Sequence, residues 1–402
     1  MSDKYKFENP FHDDVYLERT SKKNTDIRGD YFRDQTAIIH SRPFRRLKNK
    51  TQVFFAPKDD HICTRIEHVL HVATIAGTIC RGLNKYDDLY NLDVDLAFAI
   101  GLGHDIGHAP FGHAGEEAIN EYLRRKKSKF RFVHEIHSYR VVEYLANSGK
   151  GLNLTFAVKD GIICHNGEKF ERSLKPSEEI NKLDKIKKLG SISNSYEGCI
   201  VRQSDKIAYL GRDIEDALIA NLFSKDKIPR TISKILGGNN GEIINTLVTD
   251  LIDNSKDGKI RFSQDCSYIM KKLSKFNNEN IYNNKVIGDY REYCKKIINT
   301  ICEHLEIIFK KNEFKFEKYY SSNLNIDKLF GSYLKNMNKF YKEEQNNNDL
   351  DDENLRIRII VDYVAGMTDV YALDCMKELS IPKPIEFVHI KPRKNIKDIK
   401  RY

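Results

Sequence analysis

Apolar side chains recur at three- and four-residue steps along most of the chain, which is the period of an α-helix. In the interval 64–83 the residues Ile66, Val69 and Ala73 fall on one face, and Thr64 is a candidate N-cap. Strand-like alternation is scarce, apart from a short run, EFVHI, near the end of the chain. The pattern therefore predicts an all-α fold. Further helices are predicted over 95–103, 114–127, 133–146, 155–164, 196–223, 241–253, 284–312, 325–342 and 354–379.

Breaks in this pattern divide the chain into parts. Residues 1–25 are polar and aperiodic, and we expect them to form an N-terminal arm. Gly107, Pro110 and Gly112 interrupt the helical period and predict a loop between two helices. The interval 176–195 is a charged connector, and no internal repeat is found.

Composition narrows the class of protein. The chain has 402 residues and a net charge of +9, from 67 Lys+Arg against 58 Asp+Glu, which permits a polyanionic partner without requiring one. No run approaches the ~18 apolar residues of a membrane span, and the N-terminus lacks the apolar segment of a secretory signal. The eight cysteines form no CxxC pair and are expected to be reduced thiols. We therefore expect a cytoplasmic protein with no membrane association.

Histidine is unevenly distributed along the sequence. Eight of the 13 histidines lie in the 77 residues from 61 to 137, where an even spread would place two or three. Imidazole is a common metal ligand and a common general acid or base, so this interval is the first candidate for a functional site. The eight are His61, His68, His71, His104, His108, His113, His134 and His137.

Two imidazoles and two carboxylates are placed to converge on one cation. His68 lies in mid-helix, His104 and Asp105 end the next predicted helix, and Asp205 lies on the long helix over 196–223. Mixed nitrogen and oxygen ligation of this kind suits Mn, Fe, Co, Ni, Zn or Mg. Any one of these histidines alone could equally be a structural residue of the core or surface.

Further reactive and basic groups flank this set. His113 follows the predicted loop, and Glu116 three residues later resembles a carboxylate that orients a base. The alternative is that Glu116 only favours the positive end of a helix dipole. Arg65 and Lys206 lie beside the candidate metal ligands and suit a polyphosphate, although each could be a solvated helix charge.

Six blocks of sequence resemble one known family. The resemblance is to the dGTPase-like deoxynucleoside triphosphate (dNTP) triphosphohydrolases of the HD superfamily, and it runs from about Arg28 to about Leu373. It implies an HD-domain helical fold with additional C-terminal helices. It also implies hydrolysis of a dNTP to the deoxynucleoside and inorganic triphosphate. The blocks, in chain order, are HSRPFRRLKNKTQVF, TRIEHVLHV, GLGHDIGHAPFGHAGE, VHEIHSYRVVEYL, SDKIAYLGRDIEDAL and DYVAGMTDVYAL.

The resemblance also implies roles for individual residues. The metal ligands would be His68, His104, Asp105 and Asp205. His113 would be the catalytic histidine at the α-phosphate, paired with Glu116 and supported by His134. The implied substrate-binding residues are His108, Arg65 and Lys206 at the phosphates, Gln52 and Asp213 at the sugar 3′-hydroxyl, Tyr209 against the deoxyribose, and Arg46 and Val53 nearby. Weaker candidates in the C-terminal third are Arg356, Arg358, Tyr363 and Asp369.

The same resemblance suggests an organisation and a set of partners. An HD-type catalytic core would span 26–225, and a helical part over 226–402 would pack on it, complete the nucleotide site and carry oligomer contacts. We expect one divalent ion per subunit (Mn, Mg or another first-row ion), because the extra ligands of binuclear HD phosphodiesterases are not recognised. A homo-oligomer, tetramer or hexamer, is expected, and a dNTP or single-stranded DNA is a possible effector. The alternatives are another HD-domain phosphohydrolase and a nucleotide- or nucleic-acid-binding regulatory module.

Overall fold

The computed structural model describes residues 7–54, 61–86, 91–166, 170–348 and 351–381. Helices dominate these residues, and the described sheet consists of two short antiparallel strands, β1 (Ser173–Leu174) and β2 (Ile260–Arg261). The all-α prediction is confirmed. The strand-like run near the end of the chain lies outside the described residues.

The first ten helices include those predicted from apolar periodicity over 64–83, 95–103, 114–127, 133–146, 155–164 and 196–223. Short 3₁₀ or π turns occur at Leu47–Asn49, Val141–Leu145 and Leu183–Lys185. The helices are α1 (Asp13–Tyr16), α2 (Asp30–Ile39), α3 (Arg42–Arg46), α4 (Arg65–Tyr86), α5 (Val94–Gly103), α6 (Gly112–Arg125), α7 (His134–Arg140), α8 (Ala146–Gly149), α9 (Phe156–Cys164) and α10 (Tyr196–Ile219).

Eight further helices follow. Two more short turns lie at Lys225–Lys227 and Asn278–Tyr282. The helices are α11 (Arg230–Leu236), α12 (Asn240–Asn254), α13 (Gln264–Asn277), α14 (Lys285–Asn312), α15 (Glu317–Tyr320), α16 (Asn325–Asn348), α17 (Asp352–Ala365) and α18 (Asp369–Ser380).

Helices α4, α5 and α10 pack together at the centre of the larger hydrophobic core. Helix α5 is buried almost all round, as its apolar sequence predicts. It approaches α4 closely at Gly101, where a Cβ would lie only 2.6 Å from the Cα of Ala73. This contact brings the helix that carries His68 next to the end of the helix that precedes His104.

A second hydrophobic cluster joins α6 to the C-terminal helices. Ile119 and Tyr122 of α6 are buried in the same cluster as Ile301 of α14, Phe330 of α16 and Ile360 of α17. The C-terminal helices therefore pack directly against the helix that follows the His104–Asp105 loop.

The N-terminal segment lies against the body of the protein from residue 7 onward. Phe7 and Tyr16 are buried, and the Tyr16 hydroxyl donates to the carbonyl of Asn194 at 2.7 Å. Arg19 forms an ion pair with buried Asp34 at 2.5 Å. The expected boundaries at residues 25 and 225 stay predictions.

Some helix boundaries differ from the predicted ones. The interval 354–379 forms two helices rather than one, because Thr368 starts α18 by accepting a hydrogen bond from the Tyr371 amide at 3.2 Å. The interval 133–146 changes from α-helix to a π turn after Arg140. Helix α13 was not predicted from the sequence pattern. No helix of the described residues has the length and apolar character needed to cross a membrane.

Candidate active site

A cleft of about 390 Å³ opens beside α4, α6, α7 and α10. Most of the predicted site residues line it: Gln52, Val53, Arg65, His68, Asp105, His108, His113, His134, Asp205, Tyr209 and Asp213. The other lining residues are Phe170, Ser274, Asn278, Tyr282 and Arg291, none of which the sequence patterns indicated.

Three of the predicted metal ligands form a compact cluster at the base of the cleft. His68 Nε2 lies 3.0 Å from Asp205 Oδ1, and His104 Nε2 lies 3.9 Å from the same oxygen. These three ligand atoms all lie within 4.8 Å of one another. Asp105 Oδ2 is 3.7 Å from His104 Nε2 and 4.0 Å from His68 Nε2.

The surroundings of His104 fit a metal ligand. Its Nδ1 lies 2.8 Å from the carbonyl of Gly101, which fixes the ring, and its buried Nε2 has no hydrogen-bond partner among the described residues. Metal-ligating histidines usually bond through one ring nitrogen to a carbonyl or carboxylate in this way. Burial lowers the pKa of His104, which favours the neutral imidazole that a cation requires.

Charge in the cluster is balanced by Arg65. Its buried guanidinium contacts Asp105 Oδ2 and donates to the carbonyl of Thr51 at 3.1 Å. Although burial opposes it, Arg65 holds the pKa of Asp105 well below its usual range. The pKa of Asp205 is also lowered against the effect of burial, because His68 bonds to it. Both carboxylates are therefore ionised acceptors.

A second cluster of imidazoles surrounds Glu116. Glu116 Oε2 lies 2.8 Å from His134 Nδ1 and 3.8 Å from His113 Nδ1, so one carboxylate faces both rings. His134 is buried and stacks on His108 with ring centroids 4.3 Å apart, whereas the His113 side chain is 61% exposed. The pairing of His113 with Glu116 predicted from sequence is present, but the closer partner of Glu116 is His134.

Another wall of the cleft is formed by Tyr209, Asp213 and Tyr282. Tyr209 and Asp213 lie one turn apart on α10, and the Tyr282 hydroxyl donates to Asp213 Oδ2. Burial raises the pKa of Asp213 to about 7. Arg291 donates to the carbonyl of Tyr282 at 2.8 Å, which links α14 to this wall.

Two predicted substrate-binding residues lie outside the lining of the cleft. Lys206 is buried, with Nζ 3.2 Å from Gln203 Oε1 and 5.9 Å from the ring centroid of Phe170. Arg46 donates instead to the carbonyl of Gly366 at 2.8 Å.

The C-terminal candidates are also absent from the described lining of the cleft. Asp369 has a different position, because it accepts from the backbone amides of Thr51 at 2.7 Å and Phe111 at 2.8 Å. It therefore joins two loops that flank the cleft. Arg356, Arg358 and Tyr363 lie on α17 and are not among the described residues that line the cleft.

One histidine was missed that lies at the centre of the site. The ring of His165, directly after α9, is 4.9 Å from that of His104, and its Nε2 is 4.0 Å from Asp105 Oδ1. The available signal was its sequence position at the end of an apolar helix, which is also the position of His104.

Comparison with known proteins agrees with this geometry. The HD domain family model matches residues 65–210, and the phosphohydrolase-associated domain model matches residues 308–378. A deoxyguanosinetriphosphate triphosphohydrolase-like protein from Caldanaerobacter subterraneus subsp. tengcongensis is 37% identical over 365 residues, covering 90% of this chain and 88% of the relative. A protein of the same description from Clostridium tetani is 36% identical over 375 residues, covering 91% and 90%. The chain therefore belongs to the deoxyguanosinetriphosphate triphosphohydrolase-like family of HD-domain phosphohydrolases.

Proposed function

We propose that the protein hydrolyses a deoxynucleoside triphosphate to the deoxynucleoside and inorganic triphosphate, with a divalent metal ion as cofactor. The observation that carries the proposal is the composition of one cleft. It joins a His/Asp cluster able to hold a metal, a Glu116 carboxylate shared by two histidines, and a wall with Tyr209 and Asp213. The names of the two relatives, both triphosphohydrolase-like proteins, support the same proposal.

The residues that would hold the ion are His68, His104, Asp105 and Asp205. Their nitrogen and oxygen atoms suit a first-row divalent ion such as manganese, and magnesium is the alternative where oxygen ligands dominate. A bound ion of this kind supplies Lewis-acid polarisation of a phosphoryl oxygen.

His113 would donate the proton that the leaving group needs, and Glu116 would assist His113. In this reaction water adds to the α-phosphorus while the bond from that phosphorus to the sugar 5′-oxygen breaks. The departing 5′-oxygen needs a proton, which the exposed imidazole of His113, a lining residue of the cleft, would provide. Glu116, whose pKa is lowered by His134 and His113 against the effect of burial, would orient the ring and stabilise its charged form.

The remaining lining residues would bind the substrate. Arg65 and His108 lie on the phosphate side of the cleft, next to the metal cluster. Gln52 and Asp213 would contact the 3′-hydroxyl, and Tyr209 would pack where a ribose 2′-hydroxyl would otherwise lie. Phosphate contacts by Lys206 and a nucleotide-proximal role for Arg46 stay predictions, since neither lines the described cleft.

Product analysis with the four dNTPs and the four ribonucleotides tests the proposal. We expect triphosphate and deoxynucleoside in equal amounts, with manganese or magnesium required. Release of pyrophosphate or single phosphate would point to another HD-domain phosphohydrolase. Tight nucleotide binding without any turnover, with metal present, would point to a regulatory module.

Some properties of the proposed enzyme remain predictions from the resemblance to the family. They are a homo-oligomer, tetramer or hexamer, and an effector dNTP or single-stranded DNA. The cytoplasmic location stays a prediction from composition.

A further inference from the structure

Two buried charged residues connect the C-terminal helices to the segments that line the cleft. Lys50 and Asp369 are 3% and 2% exposed, and the proposed reaction uses neither of them. Asp369 is the first residue of α18, and Ala365, whose carbonyl accepts from Lys50 at 2.9 Å, is the last residue of α17. Both connections therefore come from the corner between these two helices.

Asp369 binds two separate segments of the chain. Its Oδ2 accepts from the backbone amide of Thr51 at 2.7 Å and also from the Thr51 hydroxyl. Its Oδ1 accepts from the backbone amide of Phe111 at 2.8 Å. Because one buried carboxylate accepts all three hydrogen bonds, it fixes the distance between the two segments.

The Thr51 segment supports groups that are proposed to bind the substrate. The carbonyl of Thr51 accepts from the Arg65 guanidinium at 3.1 Å, and the carbonyl of Lys50 accepts from the Arg65 amide at 3.1 Å. Gln52, the next residue, lines the cleft. A shift of Thr51 would therefore move both Arg65 and Gln52.

The Phe111 segment supports the proposed proton donor. Phe111 directly precedes α6 and has a φ of 64°, in the left-handed region that is uncommon for residues other than glycine. His113 lies two residues later, in the first turn of α6. Lys50 holds the same loop at a second point, since its Nζ donates to the carbonyl of His108. The position of His113 in the cleft therefore depends on how this loop is held.

We propose that Lys50 and Asp369 are positioning residues, through which the corner between α17 and α18 holds the Thr51 and Phe111 segments in the arrangement that the reaction needs. The proposal rests on the proposed function. Neither side chain is among the described residues that line the cleft, so both act through the residues that they hold. Asp369 thereby has a role other than the direct substrate contact for which the resemblance made it a candidate.

Small displacements of the held groups are costly for the reaction. A shift of about 1 Å can lower a rate about 10²-fold, because the reacting groups must meet at a short distance and in the right direction. Asp369→Asn keeps the size of the side chain but changes one acceptor oxygen into a donor amide. That amide cannot accept from Thr51 or from Phe111, so at least one of the two segments is released.

Kinetics of the full chain with each of the four dNTPs and Mn²⁺ test the proposal. Asp369→Asn should lower kcat about 10–100-fold, while its manganese content by elemental analysis stays that of the unchanged protein. Asp327→Asn is the matched control. Asp327 is also 2% exposed near the start of a C-terminal helix, and its described hydrogen bonds are with His304 and Ser322, outside the lining of the cleft. This control should keep kcat even where it lowers stability.

A conservative pair of variants separates positioning from general stability. Thr51→Val removes the hydroxyl that donates to Asp369, and Thr51→Ser retains it. Since the Thr51 segment supports binding groups, Thr51→Val should raise KM more than it lowers kcat, and Thr51→Ser should restore KM. A loss of folded protein alone would lower the apparent kcat and leave KM unchanged.

Amide hydrogen exchange, measured by mass spectrometry, follows the two segments without any turnover. In Asp369→Asn, peptides that cover 50–54 and 105–113 should exchange faster than in the unchanged protein. Lys50→Met should act chiefly on 105–113, because it releases the carbonyl of His108. Asp327→Asn should leave both peptides unchanged.

Three results would overturn the proposal. The first is an unchanged kcat together with unchanged exchange in a folded Asp369→Asn. The second is an equal loss of kcat in Asp369→Asn and Asp327→Asn. The third covers the case that Asp369→Asn fails to fold, and it is the same KM in Thr51→Val and Thr51→Ser. The proposed function is judged separately, since product analysis of the unchanged protein can refute it while the exchange measurement still shows whether Lys50 and Asp369 hold the two segments.

Discussion

The carboxylate of Glu116 contacts two histidines of the cleft, His134 and His113. It lies closer to buried His134 than to exposed His113, at 2.8 Å and 3.8 Å. The same three residues also form, with His108, a group able to hold a metal. The chemical role of His113 therefore has to be separated from metal binding.

We expect His113→Ala to retain bound metal and nucleotide affinity but to lower kcat by about 10²–10⁴-fold, the usual contribution of a general acid or base. Glu116→Ala should lower kcat as well, and the double variant should be little worse than the worse single one, because the two groups act together. Elemental analysis, calorimetric Kd and single-turnover rates on the same preparations measure this. Loss of metal from His113→Ala would instead make His113 a ligand.

Tyr209 is expected to discriminate against ribonucleotides. It is half-buried at the cleft wall, one turn before Asp213, where it would occupy the space beside the sugar 2′-carbon. Each dNTP should therefore have a higher kcat/KM than its matched ribonucleotide, and Tyr209→Ala should reduce this ratio while Tyr209→Phe preserves it. Equal kcat/KM for dGTP and GTP, and for the other pairs, would remove this role from Tyr209.

Site residues that lie close together in recognisable sequence motifs could be predicted. Single site residues without such a motif around them could not. His68, His104, Asp105 and Asp205 could be chosen because they lie on, or directly after, three helices in a recognisable order. His165 has no such context, since only the fold brings the end of α9 against the end of α5. Tyr282 and Arg291 come from a region of weak periodicity and reach the cleft through tertiary packing.

At the scale of elements, the helix pattern was predictable and the exact ends were not. Apolar periodicity located α4, α5, α10, α12 and α14 because these helices bury one face or more in the core. It did not reveal the division between α17 and α18, which depends on a local cap at Thr368. It also did not show how closely two helices approach each other.

The close approach of α4 and α5 gives a prediction about one glycine. In Gly101→Ala the new Cβ would lie 2.6 Å from the backbone of Ala73, so the helices must separate. We expect a loss of about 1–3 kcal/mol in the free energy of unfolding, as for other overpacked sites. Metal affinity should also weaken, because His68 and His104 lie on the two sides of this contact.

Gly77→Ala, on the neighbouring helix α4, is the matched control. A Cβ there would meet its nearest neighbour, Val94 Cγ1, at an ordinary 3.5 Å. The change should be neutral or stabilise the helix by up to about 1 kcal/mol. Urea unfolding and manganese titration measure both variants. Equal stability and equal metal affinity in the two would show that the contact at Gly101 is not restrictive.

At the scale of the whole molecule, a buried ion network joins the HD region to the C-terminal helices. Arg140, at the end of α7, donates to Glu344 of α16 at 2.7 Å and to Asp362 of α17 at 2.6 Å. Asp362 is also 3.5 Å from His137 Nε2 and accepts from the Tyr341 hydroxyl at 3.1 Å. Although burial opposes it, Arg140 holds the pKa of Asp362 below its usual range. The two family-model segments are thus connected by charge as well as by apolar packing.

We expect Arg140→Ala to lower the free energy of unfolding by about 3–5 kcal/mol at neutral pH, because it leaves a buried carboxylate without its cation. A depressed carboxyl pKa contributes stability above the unfolded pKa of about 3.9, and this contribution is lost as pH falls through the folded pKa. The difference in the free energy of unfolding between the unchanged protein and the variant should therefore be largest near neutrality and shrink below about pH 4.

Arg125→Ala is the matched control. Arg125 pairs with Glu303 at 2.8 Å, and both side chains are about half exposed. Loss of this pair should lower the free energy of unfolding by at most about 1 kcal/mol. Urea unfolding from about pH 2 to pH 8 measures both variants, because the expected change lies below the unfolded carboxyl pKa of about 3.9. Equal losses in the two, or a pH-independent difference for Arg140→Ala, would show that the buried network does not hold the two parts together.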